Sequence, residues 1–296
     1  MKKAAERSAG REGRASRLLT ALTILLAAAG ALLIAYPSLS NWENGLQARR
    51  AIALYDRAVT ETDDAAIEKE LEAARAYNAS ILERAEPLVP EEGELSRYNA
   101  LLDLSGDGLM GTIRIPSLGI ELPFYHGTNE TVLKRAVGHI EWSSLPVGGE
   151  STHCVLSAHR GLPSARLFTD LDKLREGDRF TVTVLGRTIG YEVDRILVTL
   201  PEEVRELEIV PGEDYCTLVT CTPYGVNTHR LLVRGRRAEL EAAEESAAEA
   251  RETPAALRIA KIAIPLLFVS LLVTLLLYGR EKPGRRERAA RKSKSE

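Results

Sequence analysis

Two long stretches without charge bracket the chain. Residues 18–36 (LLTALTILLAAAGALLIAY) come close to the roughly 20 apolar residues a helix needs to cross a bilayer, and residues 262–278 (IAIPLLFVSLLVTLLLY), inside an apolar block at 259–279, are nearly as long. Between them the pattern changes twice. From residue 41 to about residue 90, Ile67, Leu71, Ala74, Tyr77 and Ile81 recur at three- and four-residue steps with charges between them, which predicts an amphipathic helical arm. Thr62 or Asp63 caps its second helix, Asp64 and Glu68 suit the positive end of that helix, and Pro87 and Pro90 end it. After Gly111 the texture becomes short runs of β-branched and aliphatic residues: TIRIP, IELPFY, HCVLSAH, RFTVTVL, TIGYEVDRILVTL, YCTLVTC and HRLLVRGR. Gly, Pro, Asp and Asn turns separate them, and 131–137 and 165–174 look helical. Closely spaced strands with few long helices predict a mostly β fold, a closed β-barrel with short helices.

The segments then follow as a basic tail (1–17), an apolar span (18–36), the arm (37–105), the barrel (106–238), an Ala/Glu-rich linker (239–258), a second span (259–279) and a second basic tail (280–296). The two tails hold fourteen of the 39 Lys and Arg but only five of the 42 Asp and Glu, so the residues between them carry a net charge of −12. The overall balance of −3 gives no field to attract nucleic acid. Basic residues outside both spans predict a two-pass protein with cytoplasmic termini and the body on the extracytoplasmic face. A cleaved signal peptide is the alternative for 18–36, but its apolar run exceeds the usual 7–15 or so of such a segment.

Three cysteines exclude a dense disulfide scaffold, and no spacing of Cys, His and carboxylates suggests zinc, an EF-hand or a phosphate loop; neither metal nor organic cofactor is expected. Cys221 ends an apolar strand (TLVTC) where Pro223 and Gly225 stop the ladder, which leaves its thiol accessible. Arg230 opens a further strand nine residues on, near enough to return beside Cys221 and to offer two parallel hydrogen bonds to an oxyanion. His159 ends a strand of the same texture and is the base and acid such a thiol requires. The alternative is a buried Cys, a surface His and a salt-bridged Arg. His229 would face the other side of a regular strand from Arg230, and His126, His139 and His153 read as surface or satisfied histidines.

At these residues the chain resembles the sortases, membrane-anchored cysteine transpeptidases of Gram-positive cell surfaces. TLVTCTPYGVNTHRLLVRG resembles the segment that carries their nucleophile and arginine, and SAHRGLPSARLFTDLDKL, IPSLGIELPFYHGT and VGHIEWSSLPVGG are similar to class C, the pilin-polymerising group. The likeness runs from about residue 106 to residue 237. It implies Cys221 as nucleophile, His159 as general acid and base, and Arg230 as stabiliser of the oxyanion or substrate. It further implies cleavage of an LPXTG-like sorting signal through a thioacyl enzyme, transfer to a pilin lysine, pilin subunits and the lipid bilayer as partners, and the plasma membrane as location. A wall-anchoring sortase that uses a peptidoglycan amine, and an inactive membrane-tethered pilus scaffold, are the rival readings. Many class C members carry an Asp-Pro-aromatic tripeptide in a lid; none occurs in residues 80–110, and Asp103 with Leu104, in a segment at 98–106, is the nearest candidate. Cys154 and Cys216 lie five residues before His159 and Cys221. If the two strands are parallel neighbours in register, these cysteines face each other on the side away from the site. They would form either a strained disulfide or, the better-favoured reading, a reduced packed pair.

Overall fold

The computed structural model describes residues 2–84 and 93–240, with side chains from residue 21 onward. Pro87, Pro90, the linker beyond residue 240, the second apolar span and the C-terminal tail lie outside the described residues. The chain divides into two compact units: residues up to Ser38 belong to one, and Leu39–Glu252 form the other, which contains the barrel. Helix α1 (Lys2–Glu61) includes the first apolar stretch. Its portion Ala21–Glu61 is the one helix among the described residues long and apolar enough to cross a membrane, with Leu25, Leu32, Leu33 and Ile34 exposed.

Two further helices, α2 (Asp64–Ile81) and α3 (Glu94–Ala100), precede the strands β1 (Leu109–Ile115) and β2 (Ile120–His126). Helix α4 (Glu130–Leu133) follows, then β3 (Val137–His139), β4 (Thr152–Ser157), β5 (Arg179–Val184), β6 (Arg187–Thr199), β7 (Asp214–Thr222) and β8 (His229–Ala238). The strands close into a barrel in the order β1-β2-β3-β4-β7-β8-β6-β5. All seven predicted strands are present. The eighth, β3, has three residues, too few for alternation to reveal. In the segment expected to be helical at 165–174, only Leu171–Lys173 forms a single 3₁₀ turn.

Two neighbouring pairs are parallel, β2 with β3 and β4 with β7. A parallel pair needs a crossover, supplied for the first by α4 and for the second by the β5–β6 hairpin with its flanking loops. The strand directions put the C-terminal ends of β4, β6 and β7 and the start of β8 at one end of the barrel. The starts of β1, β4 and β7 and the ends of β2 and β8 lie at the other. Alternation sorts the side chains into two sets. Cys154, Leu156, Cys216, Leu218, Leu231 and Val233 join the interior core, whereas Val155, Val219 and Leu232 form a separate outer cluster. That outer cluster is closed by Leu207, Ile140, Trp142 and Leu197.

The arm docks on the end where β1 starts. The predicted stripe Ile67, Leu71, Ala74, Tyr77 and Ile81 is buried throughout. Buried polar contacts fix its register: Tyr55 Oη donates to Met110 O at 2.7 Å and accepts from Leu185 N at 2.9 Å, and burial pushes its phenol up to about 12. Asn78 accepts from Leu145 N at 2.7 Å and donates to Leu145 O at 3.0 Å. Tyr98 Oη lies 2.9 Å from His139 Nδ1 and accepts from Gly127 N.

The segment 98–106, by its sequence either a lid or a plain connector before the first barrel strand, packs at the end of the barrel where β1 starts. Leu101 and Leu104 pack against the core, Leu102 is fully buried, and Leu102 N donates to Glu70 Oε1 at 2.6 Å. Asp103 Oδ1 accepts from Gly108 N at 2.9 Å, a local turn just before β1. These residues therefore wedge the arm against the end of the barrel where β1 begins, while Cys221 stands at the other. The apolar residues of this connector are used for packing, which its turn-rich composition concealed.

Candidate active site

Strand β7, which carries Cys221, lies between β4 and β8 and pairs with each. On one side Cys221 and Arg230 are directly opposed, and Thr222 opposes His229. On the other, Thr152 to Ser157 pair in parallel register with Asp214 to Val219. Ala158 N continues that ladder by donating to Val219 O at 3.1 Å, and Thr220 Oγ1 donates to Ala158 O at 2.8 Å. Continued two residues beyond the paired segment, the same register would carry His159, in the turn that follows β4, level with Cys221. Cys221 on β7 and Arg230 on β8, with His159 in the turn just after β4, thus form a row at one end of the barrel.

Cys221 and Arg230 lie on the outer face of the barrel, because they alternate in phase with Val219 and Leu232. Cys221, His159 and Arg230 are all half-buried. The segment between β6 and β7 forms a wall over this face, and buried Leu207 inserts beneath it. His153 pins that wall: Nδ1 donates to Glu208 O at 2.9 Å, which leaves Nε2 to accept from Thr217 Oγ1 at 2.7 Å. Burial, reinforced by the nearby Arg234 charge, lowers this imidazole to about 4, so it is neutral at physiological pH.

Arg230 differs in one respect from other arginines of the barrel and its loops. Arg160, Arg166, Arg234, Arg236 and Arg237 each pair with a carboxylate. Arg230 has no such partner among the described residues; its Nη1 donates only to the carbonyls of His229 at 3.2 Å and Asn227 at 3.4 Å. A guanidinium without a carboxylate partner among the described residues therefore stands on the strand position opposite Cys221.

The other histidines are otherwise engaged. His126 lies against Leu101 O and Gly108 O, and His139 donates from Nε2 to Ser144 O. His229 contacts Thr228 Oγ1 at 2.9 Å. Asp103 and Leu104 are not brought to the row. Cys154 and Cys216 face each other as Cα partners, as the shared register required, and both are buried free thiols, the reduced one of the two readings. Among the described residues no cluster of three or more His, Cys, Asp or Glu is arranged to hold a metal. A cleft of about 440 Å³ between α2 and the segment before β4, lined by Arg75, Asn78, Gly149 and Arg237, is remote from the row.

Sequence reading missed the residues that stand behind the row. Arg160 and Thr222 each follow a predicted catalytic residue by one position, and Arg160 Nη1 donates to Thr222 Oγ1 at 3.1 Å. The equal offsets that place Cys154 opposite Cys216 apply here too.

Comparison with known proteins agrees with this geometry. A family model described as the Sortase domain matches residues 113–238. Sortase A of Streptococcus agalactiae serotype III (strain NEM316) is 30% identical over 144 residues, which cover 47% of this chain and 58% of that protein; the match thus spans little more than half of that relative's length. Among solved structures, sortase C1 from Streptococcus agalactiae is 51% identical with a TM-score of 0.63, covering 64% of this chain and 98% of the other. Sortase C-1 from Actinomyces oris is 46% identical with a TM-score of 0.55, covering 59% and 99%. With a family match that takes in β2 to β8 and half of the aligned residues shared across nearly all of a solved sortase C1, the chain belongs to the sortase family, and its solved neighbours include several of the C class.

Proposed function

We propose that this protein is a membrane-anchored cysteine transpeptidase that polymerises pilins. Cys221 Sγ attacks the Thr–Gly carbonyl of an LPXTG-like sorting signal. Arg230 donates to the resulting oxyanion, and His159 protonates the glycine amine as the C–N bond breaks, leaving a thioester on Cys221. A pilin lysine amine then attacks the thioester and gives up its proton to His159, and the thiol departs as an isopeptide bond forms. The observation that carries this reading is the row itself, with Arg230, which has no carboxylate partner among the described residues, on the strand position opposite Cys221. The exposed apolar stretch at the start of the Ala21–Glu61 portion of α1, with Leu25, Leu32, Leu33 and Ile34, supports attachment to the plasma membrane, with the barrel on the extracytoplasmic face.

Pilin polymerisation, as opposed to wall anchoring, is supported by the C-class neighbours. One of these is described as sortase C1 of GBS Pilus Island 1, and another, from Streptococcus pneumoniae, is described with reference to pilin substrate specificity. The test supplies the full chain with a protein ending in an LPXTG-like signal and, in separate reactions, a lysine-bearing pilin domain or a peptidoglycan-precursor amine. The expected product is a ladder of isopeptide-linked pilins. Transfer only to the precursor amine would make the protein a wall-anchoring sortase instead.

A further inference from the structure

We propose that Arg160 is a positioning residue that sets the separation of His159 from Cys221 by holding the chain immediately after each. The proposal rests on the catalytic reading above and deepens it. Strand β4 ends at Ser157, so the backbone ladder with β7 stops short of the residues whose relative placement matters most. Side chains continue it: Thr220 Oγ1 donates to Ala158 O, and Arg160 reaches across to Thr222 Oγ1. Within the loop after β4, Phe168 N donates to His159 O.

The Arg160 fork has a second anchor. Its Nη2 donates to Asp172 in the 3₁₀ turn Leu171–Lys173, tying the loop that follows His159 to the loop that follows Cys221. Its guanidinium also lies 5.9 Å from the centre of the Tyr224 ring. That ring packs so closely on Gly161 that a Cβ there would meet it at 3.1 Å, and Gly161 sits at φ +79°, where glycine is preferred. Thr222 and Tyr224 are thus clasped by two consecutive residues, Arg160 and Gly161.

This arrangement is poorly explained by stability alone. The Arg160 side chain is only 8% exposed, and its Nε is buried without a hydrogen-bond partner among the described residues. A buried cation with an unmet donor is a costly way to fill space that an apolar side chain would fill at less cost. What the planar fork adds is direction, because two N–H groups fix the positions of Thr222 and Asp172 together. Thr222 alternates to the opposite face of β7 from Cys221, so Arg160 does not touch a substrate on the thiol and acts through the backbone. Displacement of a catalytic group by about 1 Å is enough to cost on the order of 100-fold in rate.

The test compares the full-length protein with Arg160→Met, Arg160→Lys, Thr222→Val and the Arg160→Met/Thr222→Val double variant. Three quantities are read: the pH profile of Cys221 alkylation by iodoacetamide, single-turnover acylation by an LPXTG-like peptide, and the thermal midpoint. Arg160→Met is expected to slow acylation about 10- to 100-fold at saturating peptide with KM little changed, and to displace the alkylation profile, while the fold persists. Thr222→Val, which removes one hydroxyl, should show a smaller loss of the same kind. The double variant should be no slower than Arg160→Met, and Arg160→Lys should recover part of the rate. An unchanged alkylation profile in both Arg160→Met and Thr222→Val, or rate losses that simply multiply in the double variant, would overturn the proposal. The alkylation arm needs no substrate: failure of the wild type to acylate would count against the transpeptidase reading, while a displaced profile would still report the Arg160 contact.

Discussion

Lowering the pH should weaken this protein well before its carboxylates protonate, and His153 should be the main cause. In the fold its imidazole titrates at about 4, while an unfolded histidine titrates near 6.5. The folded state therefore favours the neutral ring, whose Nδ1 donates to Glu208 O and whose Nε2 accepts from Thr217. This contribution is fully present above about pH 6.5 and is lost as the pH falls towards 4, because the unfolded chain takes up a proton that the fold refuses. The gap corresponds to about 3 kcal/mol in total, of which about 2 kcal/mol should be gone by pH 5. His126, also lowered chiefly by burial, adds a loss of the same sign. Urea unfolding of the full chain in detergent micelles between pH 5 and 8 measures the slope. His153→Gln keeps an amide donor but cannot titrate, so its slope should be shallower by about 2 kcal/mol between pH 7 and 5. A variant with the wild-type slope would refute the assignment of this loss to His153.

Three further outcomes follow from the same geometry. Arg230→Lys should remain impaired by 10-fold or more in acylation, since an ammonium cannot reproduce the planar pair of donors; near-normal rates would mean that charge alone suffices. Leu102→Ala should cost about 3 kcal/mol in urea unfolding without accelerating Cys221 alkylation, because Leu102 is a core wedge; faster alkylation would restore the idea of a lid at 98–106. Alkylation of the native protein followed by mass spectrometry should label Cys221 and spare Cys154 and Cys216, which are buried; rapid labelling of either would contradict the observed pairing of β4 with β7.

The sequence made much of the barrel legible because alternating residues pack into different clusters. Val155 and Val219 serve the outer cluster, while Leu156 and Leu218 serve the inner one. The shared five-residue offset of Cys154 and Cys216 likewise allowed a register to be read before any coordinates. Contacts distant in sequence were not legible in the same way. His153 gives no sign that its partner is Glu208, 55 residues on, and Tyr55 meets Leu185 across 130. Position in the chain is all that marks Asp103 and Leu104 as lid candidates. Their real surroundings depend on how the arm closes the far end of the barrel, which periodicity within one helix does not express.

The central claim is that Cys221, flanked by His159 and Arg230, forms a covalent acyl link with a sorting signal. The most direct measurement is intact-mass and peptide mass spectrometry of the full chain after brief incubation with an LPXTG-like peptide, in the absence of any added amine. The account predicts one adduct with the mass of the fragment ending in threonine, located on Cys221, released by hydroxylamine and absent from Cys221→Ala. An adduct on another residue, or peptide cleavage that persists in Cys221→Ala, would contradict it.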